Sequence, residues 1–231
     1  MIVEQLAGLL DQLGAAWILY LLLGLSVLSV AVVIERILFL RRNFVPVIEL
    51  QGRLLTALDQ GRDEALAILQ PYSGMAATVV SAGVEQMHRG ASAVGDIMQA
   101  RESLERQRYE RYLGFLGSLG ANAPFIGLLG TVIGIMGAFA DLEMSMAAAE
   151  GANRAQAIMG SISEALVATA VGLLVAIPAV IAYNQLKGRV KVTMQNTEAL
   201  ASMLLAWLKT RDDNARDDSA RDDAATAPAE R

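Results

Sequence analysis

Three polar side chains stand inside otherwise apolar runs of this chain: Thr131, Glu164 and Thr169. Together they could handle a proton. A carboxylate takes one up and releases it, while a threonine hydroxyl donates and accepts hydrogen bonds without titrating near neutral pH. Each residue also has a plainer role open to it. A lone threonine in a membrane helix commonly bonds the carbonyl four residues back, and Glu164 could hold a structural hydrogen bond or border a water-filled vestibule. A charged carboxylate inside a membrane costs at least a few kcal/mol, which makes it a functional candidate by default. One acid and two hydroxyls form an incomplete relay, to which Ser118, Asn122, Ser161 and Ser163 add only marginal polar groups. The missing titratable group is expected from a partner.

Other chemistries find no residues to carry them. Cysteine is absent and His88 is the only histidine, so thiol nucleophiles, disulfides, iron-sulfur clusters and thiolate metal sites are excluded. No cofactor or metal is expected. The glycine-rich run Gly127 to Gly134 contains no lysine and is not a phosphate loop. No nucleophile and base pair suggests an enzyme. The formal charge of −5 and the scatter of basic residues argue against nucleic acid as a ligand.

The elements that must position these residues are membrane helices. Hydrophobic residues make up 54% of the chain and charged ones 19%, against about 45–50% and about 25% in soluble domains. The excess is concentrated. Twenty-three uncharged residues separate Asp11 from Glu35, twenty-nine separate Arg111 from Asp141, and the thirty-two between Arg154 and Lys187 are interrupted only by Glu164. About 20 apolar residues cross a bilayer core. The expected fold class is therefore an all-α membrane protein with three transmembrane helices and long cytoplasmic helical extensions.

The boundaries expected are an outer amphipathic helix at 1–15, spans at 16–40, 114–140 and 156–184, and a cytoplasmic helical segment at 41–113. A periplasmic loop at 141–155, a cytoplasmic helix at 185–208 and a disordered acidic repeat tail at 209–231 complete the reading. Ile2, Leu6, Leu9, Leu10 and Leu13 supply the amphipathic stripe at the start. The leading segment carries Glu4 and Asp11 and no Lys or Arg, unlike the basic start of a secretory signal, so the first span is expected to be retained.

Charge sets the orientation. Of the nineteen Lys and Arg residues, ten lie in 36–113 and eight in 184–231, while the 141–155 loop has only Arg154. Cytoplasmic loops hold positive charge, which places the N-terminus outside and the C-terminus in the cytoplasm. Trp17 and Tyr20 at one end, and Tyr112 and Tyr183 at the other, fit interfacial belts.

Within the cytoplasmic segment, breaks are expected at Pro46, at Gly61 and around Pro71 to Gly74. The stretch from Asp96 to Leu113 is expected to run unbroken into the second span, with Glu102 and Arg106 as an i,i+4 pair. After the third span, Val190, Met194, Thr197, Ala201, Leu204 and Leu208 mark one face of a continuing helix, expected to pack on that stalk. The tail repeats Arg-Asp-Asp over residues 211 to 225 without an apolar stripe. Such a segment reads as disordered.

Small residues line the two polar spans. Gly120, Ala123, Gly127, Gly130, Gly134 and Gly137 form a ridge on the second; Ser161, Ala165, Ala168, Gly172, Ala176 and Ala179 form one on the third. Small ridges let helix backbones approach closely in lipid. The face they meet is either a neighbouring helix of the chain or one from a second protein.

The runs Ala123-Pro-Phe-Ile-Gly-Leu-Leu-Gly-Thr-Val-Ile-Gly-Ile and Ile162-Ser-Glu-Ala-Leu-Val-Ala-Thr-Ala-Val-Gly-Leu-Leu-Val-Ala-Ile-Pro-Ala-Val-Ile-Ala-Tyr-Asn closely resemble the TolQ/ExbB/MotA proton-channel family. The resemblance is specific over 113–190, and three spans with a large segment after the first look like its TolQ/ExbB branch. It implies a ring-forming oligomer, a homopentamer, in the bacterial inner membrane. The ring would enclose helices of a TolR/ExbD-like single-span partner whose membrane aspartate carries the proton. It also implies that Thr131, Glu164 and Thr169 line the pore, and that proton flow drives mechanical work. Pro124 and Pro178 fall inside the two runs as helix-shaping residues. The alternative is a non-conducting membrane scaffold for a partner complex.

Overall fold

The structure, a computed structural model, describes residues 16–147 and 152–226. The amphipathic helix expected at 1–15 lies outside them. Every regular element described is helical: α1 Ala16–Arg42, α2 Val47–Gln60, α3 Arg62–Leu69, α4 Met75–Glu85, a 3-10 turn Met87–Arg89, α5 Ala91–Glu110, α6 Leu113–Ala147 and α7 Ala152–Thr226. Three of these helices are long and apolar enough to cross a membrane. The residues divide into two compact units, one formed by the chain up to Arg36 with Tyr112–Leu186, the other by Ile37–Arg111 with the chain from Lys187.

The first unit holds the apolar spans. Ile18 and Leu22 of α1, Leu119, Ala123 and Ile133 of α6, and Val175, Ala176 and Ala179 of α7 make its core. Leu23, Val27, Phe125, Leu128, Leu174 and Ile177 point outward, as lipid-facing side chains do. At one end of this unit the buried Arg36 makes a bidentate pair with its neighbour Glu35, at 2.5 and 2.6 Å. Its guanidinium also lies 5.5 Å from the centre of the Tyr112 ring.

The second unit is a helical cluster built on α2 to α5 and the later turns of α7. Leu50, Leu54, Leu69, Val79, Val80, Met98, Leu200, Leu204 and Leu208 are fully buried in it or nearly so. Gly83 lets α4 meet both Met98 and Leu204, and Gly95 faces Leu205. Of the stripe from Val190 to Leu208, Val190, Thr197, Leu204 and Leu208 are buried and Met194 and Ala201 half-buried, with Leu204 beside Gly83 of α4. Tyr109, 2% exposed, donates no side-chain bulk to solvent: its hydroxyl accepts the Met75 N–H at 3.0 Å, and its ring meets Phe39 edge-on at 5.0 Å. The breaks fall at Pro46, Gly61 and Gly74, and Gly61, at φ 147°, holds a conformation that suits glycine.

Four local expectations need correction. The stalk does not run unbroken into the second span, because α5 stops at Glu110 and Tyr112 adopts φ 64° before α6 begins. Arg106 makes its close ion pair with Glu110, at 2.8 Å, and acts on Glu102 through charge, while Glu105 takes Arg101 and Arg108 at 3.3 and 3.5 Å. The connection expected at 141–155 is largely helical, since α6 extends to Ala147 and α7 starts at Ala152. The tail expected to be disordered continues α7 to Thr226. There, Asp212 precedes Arg216 and Asp217 precedes Arg221 by four residues, a spacing that supports a helix without any apolar face.

Candidate functional site

The two small ridges meet each other inside one chain. A Cβ placed on Gly127 would lie 2.7 Å from the Ala168 carbonyl oxygen and 3.2 Å from the Gly172 Cα; one on Gly172 would lie 2.7 Å from the Ala123 oxygen. A Cβ on Gly130 would lie 2.6 Å from that of Ala168 and 3.4 Å from Ile18. Gly120 faces Val180 in the same way, and Gly117 faces the Tyr183 ring. Ala165, Ala168, Gly172, Ala176 and Ala179 are all buried, whereas Gly134 and Gly137 are only half-buried. Backbones approach this closely only where side chains are missing. Of the two partners open to the ridges, α6 and α7 of one chain take each other.

This contact positions one of the hydroxyls. Thr169 Oγ1 donates across the helix pair to the Gly127 carbonyl oxygen at 3.2 Å. That carbonyl also stands four residues before Thr131, the acceptor of its helical N–H by the geometry of an α-helix. Thr131 Oγ1 donates locally, to the Leu128 oxygen at 2.6 Å. With Gly130 opposite Ala168 in antiparallel helices, the two threonines differ in level by about 3 Å at ~1.5 Å per residue. They form one polar layer.

Glu164 is not gathered into that layer. It is exposed on α7, five residues from Thr169 and so roughly 7 Å nearer the α6–α7 connection. Ile162, Leu166 and Val167 around it are exposed as well. Pro124 lies inside α6 and Pro178 inside α7. Proline has no N–H to give, which frees the carbonyls of Gly120 and Leu174 from their usual partners. Among the described residues no three acidic or histidine side chains gather as a metal site.

Sequence reasoning missed two participants. Ile18 closes the α6–α7 contact from α1 beside Gly130. The Glu35, Arg36 and Tyr112 cluster ends the first unit, and its only signal was an adjacent acid and base closing an apolar run.

The family model described as "MotA/TolQ/ExbB proton channel family" matches residues 65–199, from within α3 into α7. The chain belongs to this family. Among its relatives, the "Biopolymer transport protein ExbB" of Neisseria gonorrhoeae is 41% identical over 120 residues, 51% of this chain and 52% of that protein. The "Tol-Pal system protein TolQ" of Pseudomonas aeruginosa is 45% identical over 96 residues, 42% of this chain and 39% of that one. The ExbB of Helicobacter pylori strain J99 is 54% identical over 66 residues, 29% of this chain and 42% of its own. The match thus spans about half the length of the Neisseria relative. The polar layer and both small ridges fall within residues 65–199, and α1 lies before them.

Proposed function

We propose that the chain is a subunit of an inner-membrane motor driven by the proton-motive force. In this reading several copies, a pentamer by family resemblance, ring the helix of a TolR/ExbD-like single-span partner that carries a membrane carboxyl group. The N-terminus faces the periplasm and the C-terminus the cytoplasm, as the sorting of Lys and Arg supports. Proton passage to and from the partner's acid then moves the partner relative to the ring.

The observation that carries this reading is the layer formed by Thr131 and Thr169 in largely apolar spans whose other exposed polar side chains include Asn122, Ser163 and Glu164. Both hydroxyls spend their protons on backbone carbonyls, leaving oxygen lone pairs as acceptors. An acceptor suits a protonated carboxylic acid, which has an O–H to give; a carboxylate has none. Deprotonation of the partner would require a hydroxyl to leave its carbonyl and turn donor. The layer therefore distinguishes the two protonation states of an acid beside it. Glu164, exposed and closer to the α6–α7 connection, biases the local field and water along the access path.

The same two bonds favour a second reading, in which the hydroxyls only brace the helices and the protein is a non-conducting scaffold. Co-reconstitution with the partner in vesicles carrying a pH-sensitive dye separates them. Thr131→Val with Thr169→Val should assemble and lose proton flux, while Thr169→Ser keeps it. An intact double-valine complex with full flux rejects the pore-lining role of the two threonines, and a parent complex that passes no protons supports the scaffold and rejects the motor.

A further inference from the structure

The turn after α1 presents two large apolar side chains in the second unit that the proposed proton path does not use. Ile48 is 94% exposed and Phe44 72%. Their neighbours are fixed. Asn43 is buried, with its backbone N–H and its side-chain amide both donating to the Phe39 oxygen, at 3.0 and 2.8 Å. Val45 is buried as well, and Gly74 is packed against both the Asn43 carbonyl and the Val45 side chain. With residues 43 and 45 held inward, Phe44 is forced out. The Leu50 N–H closes the turn on the Pro46 carbonyl at 3.0 Å, and burial of Leu50 and Leu54 on the other side of α2 leaves Ile48 outward. The exposure follows from the fold of the turn.

The position of the turn along the chain identifies what covers it. From Trp17, an interfacial residue type, α1 rises about 38 Å to Arg42 at ~1.5 Å per residue, against a bilayer about 40–45 Å thick with its headgroups. Phe44 and Ile48 follow within six residues of that end. Arg41 and Arg42 are exposed beside them, while Glu49 and Arg53 on α2 offset each other in charge. We propose that Phe44 and Ile48 insert into the headgroup layer of the leaflet at this end of α1, and that Arg41 and Arg42 select anionic lipid there. The proposal rests on α1 being a membrane span.

The absence of cysteine allows a direct test with single nitroxide labels on the full-length chain in lipid nanodiscs. Labels at Phe44→Cys and Ile48→Cys should show a higher ratio of oxygen to nickel-chelate collision than one at Ser103→Cys, an exposed position among charged residues. The ratio should fall when phosphatidylglycerol is replaced by phosphatidylcholine, or when Arg41→Gln and Arg42→Gln are combined. A ratio equal to that at Ser103→Cys overturns the proposal. So does broadening between labels on neighbouring copies, which would make a second chain the occupant, and insensitivity to lipid charge overturns the anionic assignment. A label at Gly24→Cys, which faces open space within α1, tests the span itself. Oxygen-rich there but water-like at 44 and 48, the labels would reject the anchor alone; water-like at all three, they would reject the span.

Discussion

Thr169 donates its hydroxyl proton to the carbonyl of Gly127, a residue 42 positions earlier, at 3.2 Å. The bond exists because neither Gly127 nor Gly172 has a side chain to hold α6 and α7 apart. Gly127→Ala would press a methyl group against the Ala168 oxygen and the Thr169 Cα, at 2.7 and 3.0 Å, both backbone atoms that cannot rotate away. The helices would have to separate and the threonine bond to lengthen. We expect a loss of about 1–3 kcal/mol, the usual cost of overpacking, read as a lower unfolding midpoint in detergent. Thr169→Val should cost less, about 0.6 kcal/mol for an average interhelical hydrogen bond in a membrane. If the alanine variant is as stable as the parent, the helix contact is looser than described.

The ridges were legible in the sequence because small residues at intervals of three and four can serve little else in a membrane helix. Their partner was not, since either a second protein or another part of the chain could supply a matching face. Thr169 was legible as a polar position, but its local carbonyl was the default acceptor. Only the close approach at Gly127 brings a better one. Tyr112 was legible as an interfacial residue but its turn was not, because a positive φ is signalled by glycine and tyrosine gives no such warning. In the tail, the absence of an apolar stripe concealed helix-favouring Asp and Arg spacings.

Tyr112 offers a measurement of that hidden strain. Its φ of 64° is disfavoured for residues with a Cβ, and its ring stacks with the buried Arg36. Tyr112→Ala removes the ring and keeps the backbone strain; Tyr112→Gly removes both. The glycine variant should be the more stable of the two by about 1 kcal/mol. Equal stability, or an advantage for alanine, would mean that α5 and α6 join without strain.

Tyr109→Phe isolates one buried hydrogen bond. The hydroxyl is the acceptor for the Met75 N–H at the first turn of α4, and Met75 is fully buried. Phenylalanine preserves the edge contact with Phe39 but leaves the N–H without its acceptor. Such a group costs about 1–3 kcal/mol. Amide exchange at Met75 should rise with the fall in stability, and unchanged protection would show that another acceptor serves it.

Glu102 should make stability depend on pH in a direction opposite to most acidic residues. Burial raises its pKa above the ordinary glutamate value, the nearby Glu198 raises it further, and Arg106 works against both. Since the folded chain holds this proton more tightly than the unfolded chain, the residue opposes folding once deprotonated. The penalty is absent below the usual glutamate range, roughly pH 4–5, and develops as pH rises through the elevated folded value. Glu102→Gln removes the charge while keeping the shape, and Glu198→Gln removes the repulsion. Either variant should therefore raise the unfolding midpoint at pH 7, with the gain vanishing at pH 4. Their effects should also fall short of additive, because each relieves the same repulsion. A gain that persists unchanged at pH 4 would assign the effect to packing between α5 and α7 instead of to charge.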